Sequence, residues 1–185
     1  MTIGLLLIDI QNDYFPGGAM ELHGSVEAAQ AAGRLLDFFR QQNMPLVHIQ
    51  HLSIKAGATF FIPGTSGAEI HERVQPLPGE RVIQKHFPNS FRETNLLSCL
   101  NSMDIRQLVI TGMMTHMCVD ATTRAATDYG FTCQIVQDAC ATRNLKLNGQ
   151  EVMARDVHIA FLAALNGSYG RVVTADTVMA ESKAN

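Results

Sequence analysis

Short apolar runs alternate with amphipathic stretches along most of this chain. Ile3–Ile8 is continuously apolar and ends at Asp9, the pattern of a strand buried on both faces. Ser25 to Gln42 predicts a helix: Ser25 is a cap residue, and Val26, Ala29, Leu35, Leu36 and Phe39 recur near the helical period. Leu46–His51 predicts a second strand and Arg81–Lys85 a short third. Phe91 to Met103 predicts a helix with Leu96, Leu97 and Leu100 on one face. Arg106–Thr111 predicts a fourth strand; the helix after it opens near Thr115–Cys118 and runs to about Tyr129, with Gly130 as its stop signal. Phe131–Gln137 then predicts a strand, Gln150–Leu165 a helix and Arg171–Thr174 a last strand.

Two stretches break the alternation. Gln11–His23 is loop-like, with Pro16-Gly17-Gly18 as its turn signal. Leu52 to Glu80 has no clear long helix, and an excursion of that length is expected to act as a lid or an oligomer contact. Strands alternating with helices imply a mostly parallel, six-stranded α/β sheet with helices on both faces. At 185 residues the chain, 1–185, is expected to be one domain.

Composition narrows the function classes. Apolar residues make up 46% and charged residues 17%, as in a soluble globular protein. The net charge is -3 and no basic stripe is present, which argues against nucleic acid as a partner. The N-terminal MTIGLLLIDIQND has no basic leader and reaches Asp9 early, so neither a signal peptide nor a membrane span is expected. Cys99, Cys118, Cys133 and Cys140 form no C-x-x-C pair, which removes support for a zinc ribbon or a thioredoxin-like motif. A reduced, cytoplasmic compartment is the expectation, with Cys133 an inert core residue.

In parallel sheets ligands bind beyond the carboxyl ends of the strands. Asp9, Lys85 and the Gly112–Cys118 turn all follow strands at that rim. Taken singly, the aspartate reads as a loop residue, the lysine as a surface charge and the cysteine as a small buried hydrophobe. Together they read as base, cation and nucleophile. Cys118 sits near a helix start, where unpaired N–H groups and the helix dipole favour a thiolate, so a depressed thiol pKa is expected.

These segments resemble the isochorismatase-like cysteine hydrolases, the superfamily of nicotinamidases and N-carbamoylsarcosine amidohydrolases. The resemblance rests on LLLIDIQNDYFPGGA, QKHFPNSF, VITGMMTHMCVDATTRAATDYGF, VQDACAT and the His158 helix followed by RVVTADTV. It implies a three-layer α/β/α, Rossmann-like fold and a catalytic triad on Asp9, Lys85 and Cys118. It also implies a non-proline cis peptide at Met113–Met114, with the Met114 and Cys118 N–H groups as the oxyanion hole. Hydrolysis of a small amide, ureido or carbamoyl compound through a thioester is then the expected activity, without a cofactor. A homodimer or homotetramer is expected.

Nicotinamidases carry a D-x-H metal motif after the second strand, where this chain reads HIQHLS. His48 and His51 would point to opposite faces of that strand, so no metal is expected, although His71 or His86 could join one of them. Gln11 and Asn12 are expected to support Asp9, and Asp13 to cap or salt-bridge its loop. Phe15, Phe60, Phe61, Phe87, Thr115, His116 and Met117 are the candidate substrate-lining residues; Phe60 and Phe61 stand out because adjacent aromatics on an extended segment cannot both face inward. Three alternatives stay open: an idle family member acting in binding or assembly, an isochorismatase-type vinyl-ether hydrolase, and a redox protein pairing Cys118 with Cys140.

Overall fold

The computed structural model describes residues 2–183. Its main sheet is built from β1 (Thr2–Ile8), β2 (Leu46–His51), β3 (Arg81–Lys85), β4 (Ile105–Met113), β5 (Thr132–Ala141) and β8 (Arg171–Val173). The strand order is β3-β2-β1-β4-β5-β8, and every pairing is parallel. A small antiparallel hairpin, β6 (Leu145–Leu147) with β7 (Gln150–Val152), stands apart.

Alternation along the strands sorts the core into two halves. Leu5, Leu7 and Val109 pack with α1 (Ser25–Gln41) and with Val178 of α5 (Ala175–Lys183). Leu6, Ile8, Val47 and Ile49 pack on the other side, with Leu96 and Leu100 of α2 (Leu96–Ser102), Ala126 of α3 (Asp120–Asp128) and Leu162 and Leu165 of α4 (Ala154–Leu165). The result is the three-layer α/β/α arrangement. Among the described residues, no helix is long and apolar enough to cross a membrane.

The chain winds from β1 outward to β2 and β3, then returns across β1 to β4. The topological switch therefore falls between β1 and β4, where open α/β sheets place their ligands. At the carboxyl ends of these two strands Ile8 pairs with Gly112. A Cβ on Gly112 would stand 2.0 Å from the Ile8 carbonyl oxygen, and its φ of +133° suits glycine.

Several predicted elements differ from those observed. The helix expected over Phe91–Met103 begins only at Leu96: Glu93 has φ +56°, and the Thr94 hydroxyl binds Ser90 O, forming a turn instead. The helix expected over Gln150–Leu165 begins at Ala154, whose N–H is held by Asn144 Oδ1 at 2.7 Å, because Gln150–Val152 belongs to the hairpin. The strand expected over Phe131–Gln137 runs on to Ala141, past an irregularity opposite Ile110–Gly112. Helix α5 was not anticipated.

Candidate active site

Four neighbouring strands deliver four polar residues to the carboxyl edge of the sheet. Lys85 ends β3, His51 ends β2, Asp9 follows β1 with φ +52°, and Cys118 lies in the turn after β4. Thr115–Val119 forms a π-helical turn that merges into α3, so the α-helix proper starts beyond Cys118 rather than at it. The turn is entered through a cis peptide at Met113–Met114, and the Val119 N–H reaches back to Met114 O at 3.3 Å.

Asp9, Lys85 and Cys118 are buried together, at 0%, 1% and 5% exposure. Lys85 Nζ lies 2.6 Å from Asp9 Oδ2 and 3.3 Å from Cys118 Sγ. It also contacts His51 Nδ1 at 3.0 Å and the Phe87 carbonyl oxygen at 3.1 Å. Beside the Lys85 ion pair, the Cys118 thiol is the other hydrogen-bonding neighbour of the Asp9 carboxylate among the described residues.

Burial pushes the Cys118 thiol up, and the negative charge of Asp9 raises it further, while Lys85 only partly offsets them. The expected depressed thiol is therefore corrected: in the resting site, desolvation and a neighbouring carboxylate outweigh the helix start. Burial opposes the Lys85 charge, but Asp9 and Cys118 together hold its ammonium above the usual value. Burial and the Lys85 charge lower His51 to about 4. His51 is thus a neutral ring whose Nδ1 accepts from Lys85.

Tyr14, which sequence reasoning passed over, is buried in this neighbourhood. Its phenol is pushed well above its ordinary value, first by burial, with the neighbouring Cys118 and Asp9 disfavouring a further negative charge there. Tyr14 packs on Phe61 with ring centroids 4.6 Å apart and on Phe60 at 6.0 Å; the Phe61 ring also lies 5.8 Å from His51. Phe61 is fully buried and Phe60 packs against the same core, so the expectation that only one could turn inward is corrected. Phe61 adopts φ +56°, which breaks the strand-like alternation.

The remaining residues fall in distinct places. Phe15 is buried and stacked on His71 at 3.6 Å. The Phe87 ring lies under the Arg92 guanidinium, 3.7 Å away, while its carbonyl faces Lys85. Thr115 is buried, its hydroxyl bonding Ala141 O at 3.2 Å and His158 Nδ1 at 2.9 Å. His116 Nδ1 meets Thr142 Oγ1 at 2.5 Å, and Met117 is exposed. Gln11 and Asn12 do not support Asp9 as expected: Gln11 joins His51 and Ala68 through backbone groups, and Asn12 binds Ser66 O. Asp13 accepts the Phe61 N–H at 2.6 Å and so anchors the 52–80 segment.

His48, His71 and His86 are each engaged by other groups. His48 faces α1 and bonds Glu80 at 3.1 Å, His71 stacks on Phe15, and His86 meets Leu52 O. All four cysteines are free and buried. A broad concavity of about 810 Å³, lined by Met20, His23, Glu27 and Arg143 among others, is lined by none of Asp9, Lys85 and Cys118.

A parallel α/β/α sheet with a carboxylate, an ammonium and a thiol at its switch point defines a class of hydrolase. The chain matches the Isochorismatase domain over residues 4–177 and belongs to that family. It is similar to the uncharacterized isochorismatase family protein YddQ of Bacillus subtilis, with 50% identity over 97% of this chain and 99% of that protein. A solved structure of an isochorismatase hydrolase candidate from Oleispira antarctica is 48% identical, with a TM-score of 0.93 over 97% of this chain and 96% of that one. A more distant relative is the maleamate amidohydrolase of Pseudomonas putida, 27% identical over 95% of this chain and 84% of that protein.

Proposed function

We propose that this isochorismatase-family hydrolase is a cysteine amidohydrolase that cleaves a small carboxamide, ureido or carbamoyl compound through a thioester. The observation that carries the proposal is the buried contact of one ammonium with both the Asp9 carboxylate and the Cys118 sulfur. The amidohydrolase activity named for the Pseudomonas relative supports the same bond type.

The geometry of the resting site suits a coupled proton transfer. Cys118 is held as a thiol and Asp9 has spare acceptor capacity, so Asp9 takes the S–H proton as sulfur attacks the substrate carbonyl carbon. Lys85 stays charged between them and stabilises whichever neighbour is anionic. The tetrahedral oxyanion is received by the Met114 and Cys118 N–H groups, each such donor contributing roughly 2.7–4 kcal/mol. The C–N bond then breaks, and the proton on Asp9 passes to the departing nitrogen. Water attacks the thioester with Asp9 again as base; the C–S bond breaks and the thiol regains a proton. His51 orients Lys85, and Tyr14, Phe60 and Phe61 wall the approach.

The test is ammonia or amine release from a panel of small amides, ureas and carbamoyl compounds, with Cys118→Ala and Asp9→Asn beside the wild type. Turnover of at least one compound, reduced by roughly 10³-fold or more in both variants, is the expected result. Silence across the panel, or turnover that persists in Cys118→Ala, would contradict the proposal and favour a role in binding or assembly.

A further inference from the structure

The donors around Lys85 are those of a metal site. Asp9 offers a carboxylate oxygen, His51 a ring nitrogen and Cys118 a sulfur, and these atoms lie within 4.8 Å of one another. The Lys85 nitrogen stands among them, 2.6 Å from Asp9, 3.0 Å from His51 and 3.3 Å from Cys118, with the Phe87 carbonyl oxygen as a fourth neighbour at 3.1 Å. One positive centre with four donors around it has the donor number of tetrahedral zinc. Zinc would sit about 2.0–2.2 Å from oxygen, about 2.0–2.1 Å from nitrogen and about 2.3 Å from sulfur, so each donor would close in by roughly half to one ångström. Sulfur and imidazole donors select zinc-class ions over magnesium and calcium, which prefer oxygen alone.

We propose that Asp9, His51 and Cys118 form a latent zinc-class site at the reaction centre, held in the resting protein by the Lys85 ammonium, and that Zn²⁺ inhibits by taking its place. Binding breaks the S–H bond and forms a sulfur–metal bond; the thiol proton leaves to solvent and no electrons change hands. The Lys85 nitrogen turns away from the centre or releases a proton to solvent. The inhibitory consequence rests on the amidohydrolase reading, whereas metal binding does not.

The test uses the full chain with Co²⁺ as a spectroscopic probe and Zn²⁺ for affinity, in wild type, Lys85→Met, His51→Ala and Cys118→Ser. One equivalent of Co²⁺ should give a thiolate-to-metal absorption band in wild type, absent in Cys118→Ser, while Mg²⁺ at the same concentration leaves the protein unchanged. Zn²⁺ affinity should rise on the order of tenfold in Lys85→Met and fall on the order of tenfold in His51→Ala. Zn²⁺ should also raise the melting temperature of Lys85→Met. Where Lys85→Met does not fold, His51→Ala decides. Zinc affinity unchanged in His51→Ala and Cys118→Ser, or cobalt binding without a thiolate band, would overturn the proposal. Absence of turnover on every amide leaves the cobalt and melting readouts intact, so failure of the two proposals can be told apart.

Discussion

Two carboxylates lie near β2, one toward each face of the sheet, and their surroundings differ in kind. Toward α1, Glu80 accepts from Arg40 Nε and Nη2 and from the Leu77 N–H, each at 2.8 Å, and meets His48 Nε2 at 3.1 Å. Arg40 above all holds its carboxyl down to about 2. Toward the opposite face, Asp9 has one ion-pair partner, Lys85, and one further polar neighbour, the Cys118 thiol, against the four contacts of Glu80. A saturated carboxylate has no capacity left for a proton or a substrate; it clasps the end of the 52–80 segment to α1. An under-satisfied buried carboxylate is costly unless something completes it. The degree of saturation, rather than the presence of an ion pair, separates the structural cluster from the one proposed to react.

Substitution on each side should break this comparison if it is false. The largest effect is expected from Lys85→Met. Removing one partner of a fully buried pair costs about 3–5 kcal/mol, read by denaturant melts, and turnover should fall with it by roughly 10²-fold or more. Phe61→Ala, at the fully buried centre of the aromatic wall, should cost about 3–5 kcal/mol, and Phe60→Ala clearly less. Glu80→Gln should cost about 1–3 kcal/mol while leaving kcat nearly unchanged. An equal loss of turnover in Glu80→Gln and Lys85→Met would remove the distinction drawn between the clusters.

The smallest effects are in pH dependence. Glu80 keeps its charge in the folded protein after the unfolded chain has taken up a proton near 4.5. Its contribution is therefore present above that pH and is lost as pH falls toward 2, and Glu80→Gln should flatten the stability profile in that window. His51 is lowered from 6.5 to about 4, so the unfolded chain binds this proton first. Stability should fall as pH drops from 6.5 to 4, less steeply in His51→Gln, as followed by melting temperature across the range.

How much of this was legible in the sequence depended on burial and spacing. Ile3–Ile8 ending in Asp9, and the apolar run into the Gly112–Cys118 turn, are short continuous apolar patterns bounded by polar or glycine residues, as buried parallel strands produce, so both placed their polar ends on the rim. The approach of His51 to Lys85 and of Tyr14 to Asp9 and Cys118 depends on strand order and loop path, which a local pattern does not encode. The Cys118 thiol shows the limit most clearly: a helix start is visible in sequence, while the desolvation that outweighs it appears only when three chain segments meet. The β6–β7 hairpin had a usable signal in Asn148-Gly149, both at positive φ, but the strand after it, Gln150–Val152, was read as the start of the helix that follows. Phe60 and Phe61 were misjudged because a single positive φ lets neighbouring side chains share a face.

The most direct test of the central claim is the mass of the protein quenched during turnover of an amide it cleaves. The account predicts an acyl adduct on the Cys118 peptide, absent in Cys118→Ala, and no adduct on Cys99, Cys133 or Cys140. Sustained turnover in Cys118→Ala, or an adduct on any other residue, would contradict it.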